Sequence, residues 1–353
     1  MNSAERIFAA LELKEPDMIP TFEWVIDKKI ISILCPGYSL EDFILKMGLD
    51  AIVVSPNFKY ESIYEDTFID EMGILRKKGH EDYLIPIDYP LKSEEDIKKF
   101  EFPDPYATHR FDSLKKAVSR LKGEKAIIIQ LRDVFSYPRD LRGYENVLMD
   151  LYLNPNLVNE LIEKSVDYNL KLAKIAKDIG AEIVGTGDDL ADNNGLLMGP
   201  QLFEKIFLKH YRKLVKELKE MGYYVVKHTD GDISAILSML IDSGIDCIDP
   251  IDPLGNMDIY KVKKQYGHRV CLKGNISCAG VLVYGTPDEV TNEVKSCIIK
   301  AGNSGGYILS SSNSIHSGVI PENYVAMLKA LRYFGKYPLD FNLLSKDSNY
   351  ISN

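Results

Sequence analysis

Short β-branched runs alternate with longer amphipathic segments along most of this chain, the signature of βα units wound around a parallel sheet. No other feature constrains the fold as strongly. Eight runs stand out: Ile19 to Phe22, Ala51 to Val54, Ala126 to Gln130, Ala181 to Gly185, Tyr223 to Lys227, Asp246 to Asp249, Val270 to Lys273 and Tyr307 to Ser310. Between them apolar residues recur at helical spacing. Leu157, Leu161, Ile162, Val166, Leu170, Ala173 and Ile175 follow the start signal Asn154-Pro155-Asn156 and precede Gly180. Pro200 to Met221, Ile233 to Ser243, Pro287 to Ala301 and Pro321 to Phe334 read the same way, each closed by a glycine.

Eight strands suit a closed barrel or an open doubly wound sheet, but no Gly-x-Gly-x-x-Gly fingerprint opens the first βα turn. The expected fold is therefore α/β, a (β/α)8 TIM barrel. A single barrel is expected over residues 1–340, with a C-terminal tail over 341–353. The charged, aromatic stretch from Phe58 to His109 reads as an insertion after the second strand, with a hairpin and a short helix near Glu94 to Phe100. Such an insertion is placed to cover a barrel mouth.

A formal net charge of -9 argues against nucleic acid and anionic membranes as partners. The five cysteines form no CxxC pair and suit neither a disulfide framework nor a zinc ribbon, which fits a reducing cytoplasm. Neither a signal peptide nor a membrane span is expected.

In a barrel the working residues follow the carboxyl ends of the strands. Those positions hold Glu23 and Trp24, Ser55 and Asn57, Arg132 and Asp133, Asp188 and Asp189, His228 and Asp230, Asp249 and Asp252, Lys273 and Asn275, and Ser311 to Asn313. The set is rich in carboxylate. His228 and Asp230 leave a strand two residues apart, so an imidazole and a carboxylate can meet one ion or one substrate. The bland alternative makes His228 a hydrogen-bonded structural residue and Asp230 the N-cap of a helix near Ile233. Asp188 and Asp189 lie in a glycine-flanked turn where one serves chemistry and the other the turn. The expected catalytic groups are Asp188, Asp189, His228 and Asp230, with His228 and Asp230 as metal ligands. Glu23, Trp24, Asn57, Arg132, Lys273, Asn275, Ser311 and His316 are expected to bind substrate. Arg132, Arg139 and Arg142 are candidates for gripping a carboxylate, with surface salt bridges the alternative, favoured for the last two.

The order of motifs resembles the uroporphyrinogen decarboxylase superfamily, which includes zinc-dependent methyltransferases acting with corrinoid proteins. The resembling pieces are Asp17-Met18-Ile19-Pro20, Gly187-Asp188-Asp189, Gly199-Pro200-Gln201-Leu202-Phe203, His228-Thr229-Asp230-Gly231, Leu272-Lys273-Gly274-Asn275-Ile276, Gly305-Gly306-Tyr307-Ile308-Leu309 and Pro321-Glu322-Asn323. Decarboxylases carry an arginine-rich stretch after the first strand, where this chain has Phe22-Glu23-Trp24. The thiol-methylating branch uses a His-x-Cys pair and a later Cys, where Asp230 and Asn313 stand here.

The resemblance thus implies zinc held by His228 and carboxylates, and transfer of a methyl group from a small methylated substrate, with methoxylated aromatics among the candidates. The methyl acceptor would be a corrinoid carried by a partner protein. A homodimer is compatible with this reading. Uroporphyrinogen decarboxylation and a non-catalytic binding barrel are the alternatives.

Overall fold

Seven of the eight β-branched runs become strands of one parallel sheet in a computed structural model, which describes residues 1–79 and 84–345. The strands are β1 (Ala51–Val54), β2 (Ala126–Leu131), β3 (Ile183–Gly187), β4 (Tyr224–His228), β5 (Cys247–Asp249), β6 (Cys271–Ile276) and β7 (Tyr307–Ser311). They lie side by side in chain order, every pair parallel, and the sheet is curled.

The expected eighth strand, Ile19 to Phe22, is a correction. It makes one parallel bridge, Thr21 to Leu309 of β7, while the Asp50 amide beside β1 donates to the Thr21 carbonyl. The segment touches both edges of the sheet without joining its ladder, so the hydrogen-bonded sheet stops at seven strands. The reason lies in its donors. Ile19 N–H goes to Gly335, Pro20 has no N–H, and Thr21 N–H goes to the Asp50 carboxylate, leaving no run of amides to pair.

Side chains alternate across the strands as a period of two demands. Ala126 and Ile128 face inward with Ala51, Ile183, Val226, Cys247, Cys271 and Ile308, whereas Ile127 and Ile129 join the outer layer against the helices. Several inward residues are small, which makes room for Phe22 and Trp24 from the irregular segment. Helix Ser3–Leu11 contributes Ala4, Ile7, Ala10 and Leu11 to the same inner cluster, and its start is secured by the Asn2/Glu5 capping box.

The outer helices Pro155–Ile179, Pro287–Ala301 and Pro321–Phe334 match the expected segments closely, each beginning at a proline in its first turn. Two others differ. Pro200 to Met221 is interrupted by a π-helical turn at Phe203–Phe207 before Leu208–Glu220 resumes. Of Ile233 to Ser243, only Leu237–Ile241 is helical, because the chain before it is drawn elsewhere. Gly231 donates its N–H to Asp252, adopts φ of 80°, and lies so close to the Asp192 carbonyl that a Cβ there would meet the oxygen at 2.5 Å.

The insertion folds as a four-stranded antiparallel sheet of Tyr60–Tyr64, Thr67–Asp70, Leu75–Lys78 and Leu84–Asp88, followed by helix Glu94–Lys99. It is larger than the expected hairpin. A short helix, Phe341–Leu344, begins the expected tail, whose residues 346–353 lie outside the described residues. The five cysteines are buried and unpaired. Among the described residues, no helix is long and apolar enough to cross a membrane.

Candidate active site

Strand register brings the carboxyl ends of β3 to β6 together, since His228 pairs with Gly187 on one side and Asp249 on the other. His228 Nδ1 lies 2.6 Å from one Asp249 oxygen, and Lys273 Nζ donates to the other at 2.6 Å. All three are buried. Burial works against the Asp249 carboxylate, but Lys273 and His228 outweigh it and hold its pKa below the ordinary value. Burial likewise opposes the imidazolium of His228, yet its bond to Asp249 and the charges of Asp249, Asp230 and Asp189 push its pKa up. With Nδ1 committed, Nε2 is the nitrogen left to face outward.

Trp24 sets the ring's position, its indole 5.3 Å from the imidazole between centroids. That seat exists because residue 185 is glycine: a Cβ there would come within 2.1 Å of the indole Cη2. Lys273 Nζ lies 4.8 Å from the Phe22 ring centroid and 5.9 Å from that of Trp24, so its charge is satisfied by Asp249 and two aromatic faces.

Outside this buried relay stand two further carboxylates. One ligand atom each from Asp189, His228 and Asp230 lies within 4.8 Å of the others, close enough to share a cation. His228 Nε2 is 3.5 Å from Asp230 Oδ1. Asp230 Oδ1 is buried and has no hydrogen-bond partner among the described residues, while Oδ2 accepts from Asn313 Nδ2. Burial pushes the Asp230 carboxyl up to about 7, with Asp189, Asp249 and Asp252 adding to the effect and His228 opposing it. An orphaned buried oxygen beside an imidazole nitrogen and an exposed carboxylate fits a divalent ion with mixed nitrogen and oxygen ligands. The carboxylate behind the imidazole fits too, since metal-bound histidines commonly donate their other N–H to one.

Several residues expected at the site are employed elsewhere. Asp188 accepts from the Phe135 amide and, at 2.9 Å, from the Ser136 amide, anchoring the start of helix Ser136–Arg142, so that both of its oxygens face backbone donors. Asn57 exchanges hydrogen bonds with Ser113 and so holds the start of helix Asp112–Leu121. Asn275 donates to the Ile251 carbonyl and accepts from the Cys297 thiol, and His316 sits 2.8 Å from the Cys278 carbonyl. These three do not face the cluster through those contacts. Asp230 caps no helix, because the nearest begins at Leu237.

Glu23 and Ser311 find one another: Ser311 Oγ donates to Glu23 Oε2 at 2.6 Å and its amide to Oε1 at 3.1 Å. Arg139 pairs with Asp140, and Arg142 with Asp150, the salt-bridge alternative for both. Arg132 is exposed and makes no ion pair among the described residues. Asp249, the hub of the relay, was one of many strand-end carboxylates, and only its lateral pairing with His228 and Lys273 reveals its place. Lys227 was missed as well; its ammonium is buried against Asp133 at 2.6 Å, beneath the site.

A curled parallel sheet with an acidic, histidine-bearing cluster at its carboxyl end is the frame of barrel enzymes. The chain belongs to the uroporphyrinogen decarboxylase family, whose model (uroporphyrinogen decarboxylase, URO-D) matches residues 71–334. A methylated-thiol–coenzyme M methyltransferase of Methanosarcina mazei is 24% identical over 65% of this chain, a match that spans 58% of that protein's length. A uroporphyrinogen decarboxylase of Chlorobaculum tepidum is 24% identical over 82% of this chain and 80% of its own. Among solved structures, a methyltransferase from Methanosarcina mazei superposes with a TM-score of 0.75, covering 95% of this chain and 99% of that one at 17% identity, a likeness of fold.

Proposed function

We propose that this protein is a methyltransferase that removes a methyl group from a small methoxylated aromatic compound and delivers it to a corrinoid held by a partner protein. The observation that carries the reading is the cluster of Asp189, His228 and Asp230, with its orphaned Asp230 oxygen, set in front of the buried relay through Asp249 to Lys273. Thiol-methylating relatives named in the comparisons act on sulfur, for which thiolate ligands suit the metal; here the cluster holds none, and harder oxygen ligands suit an ether oxygen.

Zinc is the proposed ion, and when bound by Asp189, His228 and Asp230 it supplies a Lewis acid for the oxygen from which the methyl departs. Asp249 fixes the imidazole so that Nε2 presents its lone pair outward, and Lys273 balances the charge that Asp249 would otherwise carry alone in the core. Trp24 and Phe22 line the floor and exclude water. The methyl would leave its ether oxygen for the cobalt(I) of the partner's corrinoid, and the phenolate left behind would take its proton from solvent water beside the exposed Asp189. Measuring zinc per chain, together with loss of cobalt(I) absorbance when a methoxylated arene is added, tests the reading. Metal-free protein that methylates cobalt(I) as fast as the zinc-loaded form would refute it.

Decarboxylation of uroporphyrinogen is the second reading, supported by the extent of the match to decarboxylases. Glu23 and Trp24 occupy the segment where arginines are expected, and Lys273 is already committed to Asp249, so a polycarboxylate finds few cations. No coproporphyrinogen is expected from the purified protein.

A further inference from the structure

Strand β4 runs out through Lys227-His228-Thr229-Asp230, and Thr229 extends its pairing one residue further by donating its amide to the Asp249 carbonyl at 2.8 Å. With a period of two, His228 and Asp230 turn toward the metal cluster while Lys227 and Thr229 turn away from it. Both of the latter are fully buried. Lys227 meets Asp133 at 2.6 Å, with its ammonium 5.8 Å from the Tyr211 ring centroid, so its charge is balanced in the core. Packing alone does not call for a hydroxyl at Thr229, which a valine would match in shape.

The third member of the cluster lacks any hold of its own. Asp189 is exposed and makes no hydrogen bond or ion pair among the described residues. Its place within 4.8 Å of His228 and Asp230 is therefore set by the residues on either side of it. On one side the Asp188 carbonyl accepts from Lys227 Nζ at 3.1 Å, and the Asp188 amide lies 3.4 Å from the His228 carbonyl. On the other the Leu190 amide donates to Thr229 Oγ1 at 3.1 Å. These contacts use only the backbone of the turn; the Asp188 carboxylate serves the start of helix Ser136–Arg142 instead.

Leu190 directly follows Asp189, and Thr229 stands between His228 and Asp230. A single buried hydrogen bond thus joins the neighbour of one cluster residue to the neighbour of the other two. Leu190 is 1% exposed, so its side chain keeps that end of the turn in the core. Without the Thr229 hydroxyl the Leu190 amide would be buried with no acceptor, and Asp189 would ride on a turn tethered from one side only. Its carboxylate would then have to be ordered when the ion arrives, at a cost in conformational entropy.

We infer that Thr229 is a positioning residue of the metal cluster: its hydroxyl, with the Lys227 ammonium on the far side of Asp189, holds that carboxylate at chelating distance before any ion arrives. The ion then meets a preformed site, and little binding free energy is lost to ordering the turn. The metal half of this inference rests on the zinc site of the methyltransferase reading; the tether from Leu190 to Thr229 does not.

Two measurements without turnover test this: calorimetric titration of metal-free protein with zinc chloride, and hydrogen exchange at the Leu190 amide followed by NMR in the absence of metal. Thr229→Val keeps the shape and removes the acceptor, while Thr229→Ser keeps the hydroxyl. Melting temperature verifies the fold of each, and Thr229→Ala takes the place of a valine variant that does not fold. Thr229→Val is expected to bind zinc about tenfold to a hundredfold more weakly and to exchange the Leu190 amide faster, and Thr229→Ser to restore both. Merely structural damage would weaken binding by the same factor with or without the Asp189 carboxylate. In the Asp189→Asn background, titrated at higher zinc, Thr229→Val should therefore cost little more. Zinc affinity unchanged in Thr229→Val, no rescue by serine, unaltered Leu190 exchange, or an undiminished loss in the Asp189→Asn background would each overturn the positioning role. A parent that binds no zinc ends the metal reading and the positioning role together; a parent that binds zinc indifferently to Thr229 ends the positioning role alone.

Discussion

Replacing Glu23 by glutamine should flatten the pH dependence of folding stability. The carboxyl is 4% exposed, and burial pushes its pKa from 4.5 up to about 7, against the pull of Lys273 and of the two donors on Ser311. Between those two pH values the folded chain keeps a proton that the unfolded chain has released, so the contribution to stability is fully present below about pH 4.5 and is lost as pH rises through 7. At about 1.4 kcal/mol per pH unit the loss amounts to roughly 3 kcal/mol across the window, and more alkaline conditions take nothing further from this group. Glutamine keeps an oxygen to accept from the Ser311 amide and hydroxyl but cannot ionise. Urea denaturation of metal-free parent and Glu23→Gln at several pH values from about 4.5 to 8 measures the difference, in which the titration of Asp230, common to both, cancels. The parent should lose stability relative to the variant as pH rises. A constant difference would refute the reasoning, and an opposite slope would mean that Lys273 and Ser311 outweigh burial at this carboxyl.

His228→Ala should release zinc and abolish methyl transfer with little loss of fold, measured as metal per chain and melting temperature; full metal content in the variant ends the assignment of His228 as a ligand. Lys273→Met leaves Asp249 buried with one partner and should cost about 3–5 kcal/mol in urea denaturation, whereas a cost under about 1 kcal/mol contradicts a charged relay. Gly185→Ala places a methyl group against Trp24, so a destabilisation of about 1–3 kcal/mol with a shifted tryptophan emission is expected, and an unchanged spectrum counts against the seat described. Asp188→Ala should destabilise by about 1–2 kcal/mol through the start of helix Ser136–Arg142 while leaving zinc bound; loss of zinc would return Asp188 to the site.

Local pattern was enough for the seven strands and for helices such as Pro287–Ala301 and Pro321–Phe334, because β-branched runs, first-turn prolines and terminal glycines act within a few residues of chain. The same logic put His228 at the carboxyl end of a strand, with Asp230 two residues beyond. It failed where hydrogen-bond donors are claimed from a distance. Ile19 to Phe22 reads as a strand, yet its amides are taken by Gly335 and by the Asp50 carboxylate. Ile233 to Ser243 reads as a helix, yet its first part follows Gly231 onto Asp192.

The sequence by itself determined the wound α/β order, the acidic balance and the strand that ends in His228, since each depends on composition or on a period of two or 3.6 residues. Tertiary structure decided which of many polar strand ends work together. Asp188 and Asp189 are adjacent and chemically identical, but one faces backbone amides at a helix start while the other shares the cluster with His228 and Asp230. Asp249 and Asp252 looked alike until strand register set the first between an imidazole and an ammonium. Direction at a strand end is set by the neighbouring strands and loops, and no periodicity along one strand carries that information.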